Sequence, residues 1–140
     1  MTHAPAPGSR IIAKKSARQQ FTSVTLVLQA FVVVFATVVA VRFSDIDLIA
    51  AEPQQLWIFG GVLTAFFLVI SRLQGSVYGV VAGTAAQVPF AALSLVVDTS
   101  FIVVAIVFLG VWIASVLLGA KIDRERAAYD AQHPDTAPNV

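Results

Sequence analysis

VYGVVAGTAAQVPFAALSLVVDTSFIVVAIVFLGVWIASVLLGA, residues 77–120, carries a single charge, Asp98. As one helix these 44 residues would be about 66 Å long, twice the roughly 30 Å hydrocarbon core of a bilayer. The chain must therefore reverse near Asp98. The triplet Asp98, Thr99, Ser100 offers side chains of the N-cap type at that point, which predicts one span over 77–97 and another over 101–120, with Asp98 capping the second. Working back toward the N-terminus, residues 55–72 form a shorter apolar segment, with Trp57 at one boundary and Arg72 at the other. Residues 21–41 contain no charge and measure about 31 Å as a helix. The expected fold is an all-α membrane protein, a four-transmembrane-helix bundle with short loops.

Composition supports this reading. The chain is 58% hydrophobic and only 12% charged, against about a quarter charged in soluble domains. Nine bases and eight acids cannot cover the surface of a water-soluble globule of 140 residues. A net charge of +1, with bases not interleaved with aromatics, argues against nucleic acid as a partner. The chain has no cysteine, and its two histidines, His3 and His133, stand apart, so no disulfide, thiolate centre, metal site or cofactor is expected. Residues 1–20 read as a disordered basic cytoplasmic lead and residues 121–140 as a cytoplasmic tail, frayed over 121–129 and disordered over 131–140. The basic lead and first apolar run also resemble a signal peptide. That run, however, exceeds the usual core of about 7–15 residues.

Charge asymmetry predicts the orientation. Arg10, Lys14, Lys15 and Arg18 precede the first span, Arg72 follows the second, and Lys121, Arg124 and Arg126 follow the fourth. Those eight share one side, and Arg42 alone lies on the other. Cytoplasmic loops carry the excess of Lys and Arg, so both termini are expected in the cytoplasm of a multi-pass plasma membrane protein. The acids Asp45, Asp47, Glu52 and Asp98 then face out. The first three can be read as a cation site or as an ordinary solvated loop.

Within the spans, Gly75, Gly79 and Gly83 recur every four residues and continue to Gln87, forming a row where another backbone can approach. The row reads either as an oligomerisation face or as packing inside the bundle. Gly110 and Ala114 make a further small pair, read as helix packing. Pro89 removes one helical hydrogen bond and frees the carbonyl of Ala85, which predicts a kink, structural or hinge-like. Gln29 and Gln87 stand about 12 and 15 Å deep in helices that enter from the same side. Two amides at such similar depth can clamp the helices by a mutual hydrogen bond, or line a substrate cavity.

Several runs together resemble a known family: Leu28-Gln29-Ala30-Phe31-Val32-Val33, the Gly79, Gly83, Gln87 row, Phe108 with Trp112, and Gly119 followed by Ile122-Asp123-Arg124-Glu125-Arg126. Over residues 17–126 the chain is similar to the actinobacterial small integral membrane proteins grouped as domain of unknown function 4233. Members usually carry Glu where Gln29 stands, an Arg-Pro-Trp-Gly-Tyr run entering the third helix, and a Pro near the outer turn. Here Arg72 and Tyr78 keep parts of that run, while Val80 and Asp98 depart. The resemblance implies the topology above and an actinobacterial plasma membrane, and it implies no mechanism.

Two functions of different class follow. The first is a non-catalytic protein, not an enzyme, acting by helix association with itself or a membrane partner protein. The second is a small transporter resembling the small multidrug-resistance exporters, which use a membrane-embedded acid in the first helix. At that depth this chain has neutral Gln29, and no span holds a titratable group for proton coupling. An intramembrane enzyme would need an activated nucleophile, yet Ser71, Ser94, Ser100 and Ser115 have no His or Lys nearby in sequence.

Overall fold

The computed structural model describes residues 8–140. Residues 1–7 of the expected lead, with His3, lie outside the described part. Four helical segments are long and apolar enough to cross a membrane, and no strand occurs among the described residues. They are α1 (Ala17–Asp45), α2 (Pro53–Arg72), a third segment made of α3 (Val77–Ala85), α4 (Gln87–Ala92) and a 3-10 turn (Leu93–Leu95), and α5 (Phe101–Gln132). Their order matches the expectation from sequence, and the chain is an all-α, multi-pass membrane protein.

The helix ends differ from the sequence reading wherever the chain leaves the apolar stretch. α1 begins at Ala17, four residues ahead of the predicted span start at Phe21, because Ser16 accepts the Gln19 backbone N–H at 3.3 Å and so starts the helix in the polar lead. At the other end α1 runs on to Asp45, and Arg42 pairs across the exposed surface with Asp45 at 3.5 Å. α5 continues unbroken to Gln132, so residues 121–129 are not frayed. Neither Gly nor Pro interrupts that stretch, and Lys121 pairs with Glu125 one turn on, at 3.7 Å. The last residues, expected as disordered, turn back onto the lead. The side chain of Asn139 accepts from the Ile11 N–H at 2.8 Å and donates to the Ser9 carbonyl at 3.1 Å.

The third span is interrupted at Ala86. Pro89 has no N–H to offer the Ala85 carbonyl four residues before it, and α3 stops at that carbonyl while the backbone of Ala86 stays right-handed helical (φ −63°, ψ −18°). The span then tightens into the 3-10 turn and ends at Leu95, two residues short of the expected 97.

α1 is the centre of the bundle and packs along both α2 and α5. On α2 the buried residues Leu56, Gly60, Leu63, Phe67 and Ile70 follow alternating spacings of four and three, the narrow seam of a helix with one main neighbour. On α1 the buried set is wider and includes Thr22, Thr25, Gln29, Ala36 and Ala40, because this helix has neighbours on several sides. The core closes around Phe90, whose ring meets those of Phe67, Phe101 and Phe108 edge-on at 5.5–5.8 Å between centroids. Such pairs contribute about 0.5–1.5 kcal/mol each beyond the area they bury.

Candidate functional site: a polar seam through the bundle

Polar side chains inside a bilayer have no water to bond, so each must find a partner in the protein. Gln29 Nε2 donates to Gln87 Oε1 at 2.8 Å, and Gln87 Nε2 donates back to Gln29 Oε1 at 3.2 Å and to the Gly83 carbonyl at 3.0 Å. Gln29 is fully buried and Gln87 nearly so. The pair therefore ties α1 to the third span at the point where Pro89 interrupts it. One turn along α1, the Thr25 and Ser115 hydroxyls meet at 3.0 Å, joining α1 to α5. Thr25 also bonds the Phe21 carbonyl at 2.9 Å, and Ser115 bonds that of Val111 at 2.7 Å. With one proton on each hydroxyl, one of the two donates across the pair while the other donates to its own helix.

The glycines divide by surroundings. A Cβ on Gly83 would lie 2.3 Å from the Trp112 ring, so the indole of α5 fills the notch that Gly83 leaves. Trp112 Nε1 then donates to Thr84 Oγ1 at 3.2 Å. A Cβ on Gly79 would lie 1.9 Å from the Leu73 carbonyl oxygen, so Gly79 serves the tight α2–α3 turn. Gly75 is exposed and meets the Gln19 side chain, its Cβ position 3.2 Å from Nε2. The sequence row thus serves three separate contacts. Gly110 and Ala114, expected as a packing pair, are both exposed, and a Cβ on Gly110 would meet nothing within 4 Å. Neither lies on the buried edge of α5, which runs instead through Ala105, Trp112, Ser115 and Gly119.

That buried row leads to a group the sequence reading left out. A Cβ on Gly119 would lie 2.4 Å from the Arg18 Cα, so the backbones of α5 and α1 touch there. One turn further, Asp123 meets the start of α1. Its Oδ1 accepts the Ala17 N–H at 2.6 Å, its Oδ2 accepts the Arg18 N–H at 3.2 Å, and the Ser16 hydroxyl donates to Oδ2. The first N–H groups of a helix lack internal acceptors and carry partial positive charge, so a carboxylate from another helix is a strong partner for them. Arg126 adds a bond to the Lys15 carbonyl at 3.3 Å. The legible signal was the Gly119 and Asp123 spacing of four, which puts a gap and an acid on one face. Gln74, at the α2–α3 turn, was also missed. It is fully buried and donates to the Ile70 and Gly79 carbonyls at 3.0 and 2.7 Å.

On the side of the α1–α2 loop, Asp45, Asp47 and Glu52 are exposed, and Asp47 takes a left-handed backbone (φ 58°) that Asp tolerates. Asp98 does not cap α5 directly. Its carboxylate accepts the Ser100 N–H at 2.8 Å and the Ser100 hydroxyl, which closes the turn before the helix, while the first N–H groups of α5 bond to main-chain carbonyls of 98–100. The side-chain bond from Ser100, and then its backbone N–H, hold Asp98 below the usual carboxylate range.

Comparison with curated proteins and with solved structures gives no match. A family model described as "Protein of unknown function (DUF4233)" matches residues 19–128, which take in the glutamine pair, the Gly83–Trp112 contact, Gly119 and Asp123. With most of its length and the greater part of every span covered by that match, the chain belongs to the DUF4233 family of proteins of unknown function.

Proposed function

We propose that this protein is a non-catalytic component of an actinobacterial plasma membrane, with both termini in the cytoplasm, that works by helix association with itself or with a partner membrane protein. The observation that carries the reading is the outward face of α5. Only 17% of the apolar stretch of this span is buried. Gly110 and Ala114 lie exposed on it, where a second helix can approach without steric cost.

The seam supports a non-enzymatic, non-transporting role. Gln29 and Gln87 are spent on each other, and the Ser71, Ser94 and Ser115 hydroxyls each bond a carbonyl of their own helix. A transporter resembling the small multidrug-resistance exporters needs such groups facing a cavity.

Affinity purification in mild detergent, followed by mass spectrometry, tests the association. Wild type is expected to co-purify with a partner or run as an oligomer, and Gly110→Leu together with Ala114→Leu to abolish this without lowering thermal stability. A wild type that is monomeric and alone in both detergent and nanodiscs would sink the reading. Orientation is checked with single cysteines, since the chain has none. Ala50→Cys and Thr99→Cys should react with an impermeant maleimide in intact cells, and Leu73→Cys and Ala127→Cys only after lysis. Leu73 is the better probe of its turn because it is half exposed, whereas Gln74 beside it is buried.

A further inference from the structure

α1 and α5 together set the depth of Arg18. It precedes Phe21, the start of the charge-free run, by three residues, about 4.5 Å of helix. The backbone contact with Gly119 puts it level with the end of the apolar run of α5, two residues before Lys121. Arg18 therefore stands where hydrocarbon gives way to a headgroup layer about 5–8 Å thick. Its side chain is partly buried. Nε is closed off from solvent and has no hydrogen-bond partner, and among the described residues no carboxylate lies within 4 Å of the guanidinium. Residues 1–7 contain no acid. The acids beside it are engaged elsewhere: Asp123 holds the Ser16 hydroxyl and the main-chain N–H groups of Ala17 and Arg18, and Glu125 pairs with Lys121. A guanidinium does not lose its proton, so a cation at this depth calls for a counter-anion from outside the chain.

We propose that Arg18 binds the phosphodiester of an anionic phospholipid in the leaflet on the side of the termini. Shape is the first argument. With Nε turned to the protein, the two Nη groups form a planar fork that matches the two free oxygens of a phosphodiester. Depth is the second, because the lipid phosphate occupies the layer in which Arg18 stands. The third argument is the surrounding charge. Lys15 and Arg124 are exposed at the same end with no carboxylate within 4 Å, and this field favours a lipid of net negative charge over a zwitterionic one. The start of α1 is not itself the site, since its first N–H groups already donate to Asp123.

The test uses the full chain reconstituted in vesicles of equal parts palmitoyl-oleoyl phosphatidylglycerol and phosphatidylcholine, then released and weighed by native mass spectrometry. Wild type should retain phosphatidylglycerol over phosphatidylcholine by about fivefold, and Arg18→Gln should bring the ratio close to one. Arg18→Lys, which keeps the charge and loses the fork, should fall between them. Arg42→Gln removes a base from the opposite end, where it pairs with Asp45, and should leave the ratio unchanged. Folding is expected to survive in Arg18→Gln, because the bonds that secure this end of α1 are made by its main chain. Equal retention of the two lipids by wild type would overturn the proposal, as would an Arg18→Gln variant with the wild-type ratio. Loss of phosphatidylglycerol on adding inorganic phosphate would also overturn it, by assigning Arg18 to a soluble anion.

Discussion

α1 and α5 look alike as text: both are long, strongly apolar and free of Pro, though α5 carries Gly110 and Gly119 where α1 has no glycine. In the structure they have opposite environments. Half of the apolar stretch of α1 is buried against protein, while in α5 the share is 17%. The difference follows polar and small residues rather than hydrophobicity. α1 carries Thr22, Thr25, Gln29 and Thr37 toward its neighbours, whereas α5 buries only one edge, through Trp112, Ser115 and Gly119. Lipid tails are as apolar as Leu, so hydrophobicity gives a membrane helix no reason to choose protein over lipid. Close approach and hydrogen bonding decide instead.

The largest test of this contrast uses glycines. Gly60 and Gly119 both face α1, and a Cβ on either would clash with it, at 1.9 and 2.4 Å. Gly60→Leu and Gly119→Leu should each cost about 3 kcal/mol in unfolding by steric trapping, while Gly110→Leu, facing outward, should stay within about 0.5 kcal/mol. Equal losses at all three positions would break the contrast.

Next in size is the contact where α5 meets the start of α1. Asp123→Ala removes an acceptor from three donors and should cost about 1–2 kcal/mol, the range of a lost helix cap. Amide exchange should quicken first at Ala17 and Arg18. If exchange rises uniformly over α1, the carboxylate is not holding that end.

The glutamines come third. Gln29→Leu and Gln87→Leu should each destabilise by about 1 kcal/mol, and the double variant by less than the sum, since each single change strands the other amide. A coupling near zero would remove the seam as the reason that α1 is buried.

Spans and their order are legible because a charge in hydrocarbon is costly enough to mark every boundary. The amide pair follows from the same cost: two buried polar groups at similar depth in helices entering from one side have few other partners. Helix ends in water carry no such penalty, which is why Ala17 and Gln132 were not legible as termini. Small-residue spacing is weaker still. Gly110 and Ala114 have the spacing of Gly79 and Gly83, yet one pair is exposed and the other buried, because spacing says where a backbone can come close and not which neighbour does. Asp123 was hidden by ordinary company, one acid in a run of charges just past a span.

The smallest expected effect is at the turn before α5. Because the folded-state pKa of Asp98 is lowered, its contribution is present above the ordinary carboxylate pKa and is lost as pH falls through the lowered value. Acidification into that range should speed amide exchange at Ser100 and leave α1 untouched. Asp98→Ala should do the same at neutral pH with little loss of function, and an effect that spreads into α1 would show that the two helices are less independent than their packing suggests.

The grip of Asp123 on the start of α1 joins residues 106 positions apart, and that separation sets a schedule for synthesis. A ribosome adding about 5–20 residues per second makes the beginning of α1 roughly 5–20 s before the carboxylate that secures it. Gln29 gains Gln87 after 58 further residues, whereas Thr25 waits 90 for Ser115. α1 is therefore secured from Gln29 back toward its start, and a product truncated before α5 can pair its glutamines yet leaves the first turn of α1 without its carboxylate.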